Sequence, residues 1–255
     1  RSLKPKRFED IVALVALIRP GPLGAGMHNE FADRANNRKE IEYLHSDLES
    51  ILNETYGVIL YQEQVMQIAE KIAGFNLQEA DNLRVAMGKK IPKVMEEQRK
   101  KFTDGAVSNN YSEQFAIELF DQIAYFAGYG FNKSHSVPYA LLAYQTAYLK
   151  ANYPAEYIAA CLTAVKRDKD RTAIFLSEAR DMGVKVSTPD VNLSSSDFTV
   201  NDNEILFGLS AVRNVGDITA DKIVFERESN GDFKSIEEFL SRIDSRSLNK
   251  RGCLL

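Results

Sequence analysis

Between residues 8 and 182 apolar side chains recur at helical spacing, and each run is cut by glycine, proline or a capping residue. The spacing predicts helices over 8–18, 48–52, 62–73, 77–87, 93–103, 113–126, 139–152, 154–166 and 171–182. In the third run Val65, Ile68 (or Ala69) and Ile72 share a face, and Gly74 closes it as a C-terminal glycine does. Gly88 closes the next run, Pro92 opens another, and Ser112 caps the one after. Helices joined by loops this short pack on their neighbours, so the segment reads as all-α.

The punctuation between these runs is itself informative. Arg19-Pro20-Gly21-Pro22-Leu23-Gly24-Ala25-Gly26 reads as a rigid bend and not a helix. It is either a hinge or a loop that approaches another chain or ligand closely. Tyr56-Gly57-Val58-Ile59-Leu60-Tyr61 reads as a strand or an apolar turn.

After Gly183 the texture changes. Val184-Lys185-Val186 alternates, and 197–200 and 204–207 flank the hairpin turn Asn201-Asp202-Asn203. The run from Leu206 to Ile223 then reads as a helix, a tight glycine hairpin and a second helix. A helix-hairpin-helix offers hairpin amides to backbone phosphates without reading sequence. The usual hairpin is Gly-apolar-Gly. Here Asn214-Val215-Gly216 replaces it, and asparagine tolerates the left-handed conformation. An ordinary helical hairpin is the competing reading. The chain is expected to be a piece of a longer protein, because Leu255 falls inside an unfinished helical pattern.

Composition narrows the classes. The 255 residues are 44% hydrophobic, which suits one large or two modest globular domains. A net charge of -4 argues against bulk attraction to nucleic acid but leaves room for a local basic face. No apolar run is long enough to span a bilayer, and no signal peptide is visible at the start. Cys161 and Cys253 lie far apart, and three scattered histidines form no Cys/His cluster, so neither a disulfide framework nor a structural metal is expected. A reducing, cytoplasmic setting follows.

The richest chemistry lies in Gly128-Tyr129-Gly130-Phe131-Asn132-Lys133-Ser134-His135-Ser136-Val137-Pro138-Tyr139. Pro138 belongs in a first helical turn and Ser136 is its candidate N-cap. A helix start with Lys133 beside it suits an anion. If the helix reaches back to His135, then His135 and Tyr139 share a face. A phosphate near Lys133 and a flat ring against Tyr139 would together describe a nucleotide. A tight turn and its packing is the other reading. The one clear basic patch is Arg84-Val85-Ala86-Met87-Gly88-Lys89-Lys90-Ile91-Pro92-Lys93, continued by Arg99-Lys100-Lys101. No nucleophile with its base and no carboxylate pair for two metals is found.

Four of these stretches, in this order, resemble the bacterial C-family replicative DNA polymerases. They are Arg19-Pro20-Gly21-Pro22-Leu23, Tyr56-Gly57-Val58-Ile59-Leu60-Tyr61-Gln62-Glu63-Gln64-Val65-Met66, Leu83-Arg84-Val85-Ala86-Met87-Gly88-Lys89-Lys90 and Phe126-Ala127-Gly128-Tyr129-Gly130-Phe131-Asn132-Lys133-Ser134-His135-Ser136. The resemblance covers essentially the whole chain. It implies a palm-end segment and hinge at 1–27, helical fingers at 28–182, a β connector at 183–208 and a helix-hairpin-helix DNA-binding module at 209–255. The fold class implied is mainly α: a multi-helix fingers domain, a small β connector and a helix-hairpin-helix module.

The resemblance also implies roles. Arg84, Lys89, Lys90, Asn132, Lys133, His135 and Tyr139 would bind the incoming deoxynucleoside triphosphate, with Arg84 on the triphosphate and Tyr139 stacked on the nascent base pair. Val85 stands where a second arginine is common, and Val137-Pro138 where two small residues are. Arg213, Asn214, Val215, Gly216 and Lys222 would contact duplex DNA. The partners implied are primer-template DNA and, through regions outside this chain, other replicase subunits and a sliding clamp. Mg²⁺ would serve the intact polymerase on palm aspartates upstream of Arg1, so the chain alone is expected to be inactive. The rival is a non-enzymatic helix-hairpin-helix DNA-binding protein, and a scaffold that binds neither ligand is a third reading.

Overall fold

The computed structural model describes residues 2–89 and 91–243. It is mainly α, with one small sheet. Two compact units, 1–144 and 145–255, divide the chain.

The first unit opens with α1 (Phe8–Leu17), α2 (Pro20–Gly24) and α3 (Met27–Ala35). The stretch read as a bend is thus one helical turn: Pro20, at the first helical position, presets the φ a helix start needs. A 3-10 turn leads into α4 (Glu49–Leu52), followed by α5 (Gln62–Ala73), α6 (Leu77–Lys89), α7 (Pro92–Ser108) and α8 (Glu113–Ala127). Gly74 is left-handed, as its place after α5 predicts, and Ser112 accepts from the Phe115 amide. Gly88 does not end α6, which runs through it to Lys89. Unlike Gly74, Gly88 does not take the left-handed conformation that closes a helix.

Two apolar clusters fill this unit. One lies among α4 to α8, with Ile68, Leu83, Phe102, Leu119 and Ile123 fully buried. The other joins α1 and α3 through Val12, Leu17 and Phe31. The extended segment 58–61 lies between them. Ile59 packs into the first cluster, whereas Val58, Leu60 and Tyr61 pack into the second. Alternation at the strand period over Val58, Ile59 and Leu60 lets one stretch of chain join both cores. Its only ladder contact among the described residues is a parallel bridge from Tyr61 to Phe131.

Asp10 ties α1 to Tyr56, just ahead of this segment. It is 2% exposed, and its carboxylate accepts from the Lys6 and Arg7 amides and from the Tyr56 hydroxyl at 2.8 Å. Burial alone would push this carboxyl up, but those bonds and the Arg7 side chain hold it below the ordinary aspartate value of 3.8. Its stabilising contribution is therefore complete above that value and drains as the pH falls below it. Asp10→Asn is expected to cost about 2 kcal/mol at neutral pH and to flatten the acid limb of the stability curve, read by denaturant titration from pH 7 to pH 2.

The division between units falls within α9 (Lys133–Asn152). This helix begins six residues earlier than its sequence predicts. Asn132, not Ser136, is the cap, accepting from the His135 amide at 2.9 Å. Pro138 consequently sits inside the helix, and Ser136 is fully buried one turn in.

The second unit holds α10 (Pro154–Val165) and α11 (Lys169–Asp181), then β1 (Lys185–Val186), β2 (Thr199–Asn201) and β3 (Glu204–Leu206). The strand order is β1-β3-β2, with β1 parallel and β2 antiparallel to β3. Asp202 and Asn203 both take positive φ, the geometry a two-residue hairpin turn requires. The sheet packs on α10 through Ile158, Leu162, Phe198 and Ile205. Last come α12 (Asp217–Asn230) and α13 (Ile236–Arg242), over Leu209, Ala220, Ile223 and Phe233.

Candidate nucleotide-binding site

The loop 128–132 before α9 is the point on which the motif segments meet. Three consecutive residues at the start of α5 organise it, each with a separate task. Gln62 donates its amide to Phe131 O at 3.0 Å, and its side chain reaches Gly130 O. Glu63 accepts the Lys133 amide with both oxygens, at 3.0 and 3.1 Å. Gln64 turns inward and accepts the Leu60 and Tyr61 amides, both at 2.9 Å. A side chain at the third helical position reaching back to the cap amide is one half of a capping box.

Arg19 braces the loop from the other side. Its guanidinium donates to Tyr129 O and lies 4.5 Å over the Phe131 ring. Burial pulls that guanidinium below its ordinary pKa. Gly21 is needed because a Cβ there would lie 2.5 Å from the Tyr129 ring. The close approach that this glycine-rich stretch permits is thus made to the protein's own loop.

From α6, Arg84, Val85, Gly88 and Lys89 line a cavity of about 230 Å³ with Gln62, Val65 and Gly130. Asp81, one turn back, holds the Arg84 guanidinium at 2.8 Å. Lys89 is exposed and has no ion-pair partner among the described residues. Lys90 lies outside the described residues. Further along the basic patch, Arg99 grips Asp121 and Lys101 grips Glu79, so those cations are already paired.

The start of α9 carries the remaining candidates. The Lys133 ammonium meets Glu54 at 2.6 Å and lies 5.6 Å from the centre of the Tyr61 ring. Asn132 is committed to capping. The His135 ring meets Phe131 edge-on and Tyr139 at a tilt, with ring centroids 5.5 and 4.8 Å away. Tyr139 is 53% exposed, leaving a face open to a planar partner. The structure therefore brings Arg84 and Lys89 to Gly130, and Lys133, His135 and Tyr139 to one helix start three residues further on. Lys133 and Tyr139 do not line the Arg84 cavity itself.

Sequence reading singled out neither Glu54 nor Glu63 nor Gln64 for a role. Gln64 had a signal, since it stands three residues after an extended tyrosine at a helix start. Glu54 had none, because its partner is 79 residues away.

In the second unit the hairpin differs from its expected form. Its first helix is a single 3-10 turn, Leu209–Ala211, because the chain turns extended at Val212. Asn214 is left-handed with φ 66°, as expected of it. The Val215 amide donates to Val212 O and its side chain packs over the last core. Arg213, Asn214, Gly216 and Lys222 are exposed. Lys166 fixes the hairpin, donating to Asp197 and Asp217 at 2.6 Å and to Ser210 at 2.9 Å.

Residues 1–110 match the family model of the bacterial DNA polymerase III alpha subunit finger domain, and 183–253 match that of the helix-hairpin-helix motif. The chain thus combines polymerase fingers with a helix-hairpin-helix. It is 49% identical over 98% of its length to a DNA polymerase III subunit alpha of Saccharopolyspora erythraea, and 49% over 99% to one of Thermus aquaticus. The subunit of Escherichia coli K12 is 46% identical over 98%. The chain spans about a fifth of the length of these relatives, 21% or 22%. It belongs to the bacterial DNA polymerase III alpha-subunit family and corresponds to the finger and helix-hairpin-helix region.

Proposed function

We propose that this region positions the incoming deoxynucleoside triphosphate and grips duplex DNA in a replicative DNA polymerase. The observation that carries the reading is the convergence of three separated segments, Arg19 and Gly21, Gln62 and Glu63, and Arg84 and Lys89, on the loop 128–132 and the start of α9 that follows it. Such an effort to fix one short loop is expected where a ligand must be held in register for reaction. Arg84, Lys89 and Lys90 supply charge for the triphosphate, and Lys133 and His135 flank it. Asn132 orients that helix start, and Tyr139 stacks on the base. Arg213, Asn214, Val215, Gly216 and Lys222 form the DNA-facing hairpin, which binds phosphates without reading bases. The division into palm end at 1–27, fingers at 28–182, connector at 183–208 and hairpin module at 209–255 belongs to this reading.

No three His, Cys, Asp or Glu side chains gather as metal ligands among the described residues, and no step here passes through a metal. The Mg²⁺ of the intact polymerase is assigned to residues outside this chain, as are contacts to clamp and replicase subunits. The chain on its own is expected not to extend a primer, and its setting to be cytoplasmic. No helix among the described residues is long and apolar enough to cross a membrane.

The test uses the full-length polymerase. Lys133→Ala is expected to lower single-turnover incorporation about 10- to 100-fold, the worth of a charge-assisted hydrogen bond, with primer-template affinity kept. Tyr139→Phe lowers it less, because the ring remains. If both variants change duplex affinity alone, a DNA-binding module without a nucleotide site is the correct reading.

A further inference from the structure

We propose that Glu54 is a displaceable counter-ion for Lys133, holding the ammonium until a triphosphate takes it and thereby setting nucleotide affinity. The inference rests on the reading of Lys133 as a nucleotide-site residue.

Lys133 has two acidic partners, and they do different things. Glu63, in the first turn of α5, bonds the backbone amide with both oxygens and so fixes where α9 begins. That bond leaves the side chain uncommitted. Glu54 holds the side chain instead, from a short 3-10 turn, Asn53–Thr55. The two side chains of this second pair are 37% and 30% exposed, so a solute can reach the ammonium.

The surroundings suit an exchange of anions. The Tyr61 ring beneath the ammonium gives it a cation–π seat that does not depend on Glu54. Tyr61 is itself 1% exposed and its hydroxyl has no partner among the described residues. Burial first, then the charges of Glu54, Glu63 and Glu9, push its phenol up, so the ring stays neutral. A phosphate oxygen arriving at Lys133 replaces one carboxylate oxygen as acceptor, and the cation is at no stage unpaired. The freed carboxylate has water within reach. Meanwhile Glu63 keeps the helix start in place, so only one side chain moves. Without the Glu54 carboxylate, an incoming triphosphate meets no competitor for the lysine.

The measurement is incorporation by the full-length polymerase across a range of nucleotide concentration. Glu54→Gln is expected to lower the nucleotide KM about two- to fivefold, the scale of a half-exposed ion pair, with kcat within about twofold. Glu54→Ala moves KM the same way, and Glu54→Asp stays near the parent. In a Lys133→Ala background Glu54→Gln has no further effect on KM. An unchanged or raised KM in Glu54→Gln, or an equal fall in the Lys133→Ala background, overturns the proposal. A Lys133→Ala polymerase with normal KM and incorporation removes the nucleotide-site reading and this inference together. A defective Lys133→Ala with an inert Glu54→Gln removes only the role of Glu54.

Discussion

Gln64→Ala is expected to lower stability by about 3 kcal/mol and to reduce nucleotide incorporation in the full-length polymerase. The side chain is 4% exposed and makes four hydrogen bonds. Its oxygen takes two amides, those of Leu60 and Tyr61, and its nitrogen donates to Thr55 Oγ1 at 2.8 Å and Ile51 O at 3.3 Å. Truncation strands two buried amides, each worth about 1–3 kcal/mol when unpaired. It also loosens the extended segment that bonds Phe131. Gln64→Glu separates the two parts of the effect. A carboxylate can still accept both amides but cannot donate to Thr55, and it places a charge in the core. Its stability is therefore expected to fall as the pH rises through neutrality, whereas the alanine variant shows no such added dependence. Thermal and denaturant melts across pH 5–8 read this directly.

The second large effect lies in the helical core. Gly105 sits in α7 where that helix crosses the end of α5, and a Cβ there would stand 2.2 Å from the Ala73 carbonyl oxygen. The obstacle is backbone, with no side chain to rotate away. On an exposed helix Gly→Ala stabilises by about 1 kcal/mol. Here the helices must separate, and Gly105→Ala is expected to destabilise by about 2–4 kcal/mol. Loss of the Phe102 packing, which is central to the same cluster, follows from the separation. Equilibrium unfolding gives the sign at once: a stabilised variant would mean that α7 and α5 are not in backbone contact.

Much of the fold was legible because helical period, caps and glycines agreed. Gly74, Ser112, the turn at Asp202-Asn203 and the left-handed Asn214 all stand where local chemistry puts them. The errors have a common cause, which is that distant residues overrode local signals. Pro138 reads as a helix start, yet Asn132 and Glu63 begin the helix a turn and a half earlier and carry it through the proline. Pro20-Gly21-Pro22 reads as a bend, yet docking on Tyr129 accompanies one helical turn. The candidate cations were also visible as residues. Their present partners were not, because Glu54 and Lys133, or Arg19 and Tyr129, are joined only by the fold. An acid that neutralises a lysine far away in the chain leaves no periodicity and no spacing to read.

The most direct test of the central claim is the affinity of the next complementary nucleotide for full-length polymerase on a chain-terminated primer, where no chemistry follows. Arg84 lies against Gly130 of the loop and Lys133 begins the helix that follows it, and on the proposed reading both grip one triphosphate. Arg84→Ala and Lys133→Ala are each expected to weaken nucleotide binding about tenfold or more, with affinity for the primer-template unchanged. Nucleotide binding at parental strength in both variants, with the loss appearing in duplex affinity instead, would contradict it.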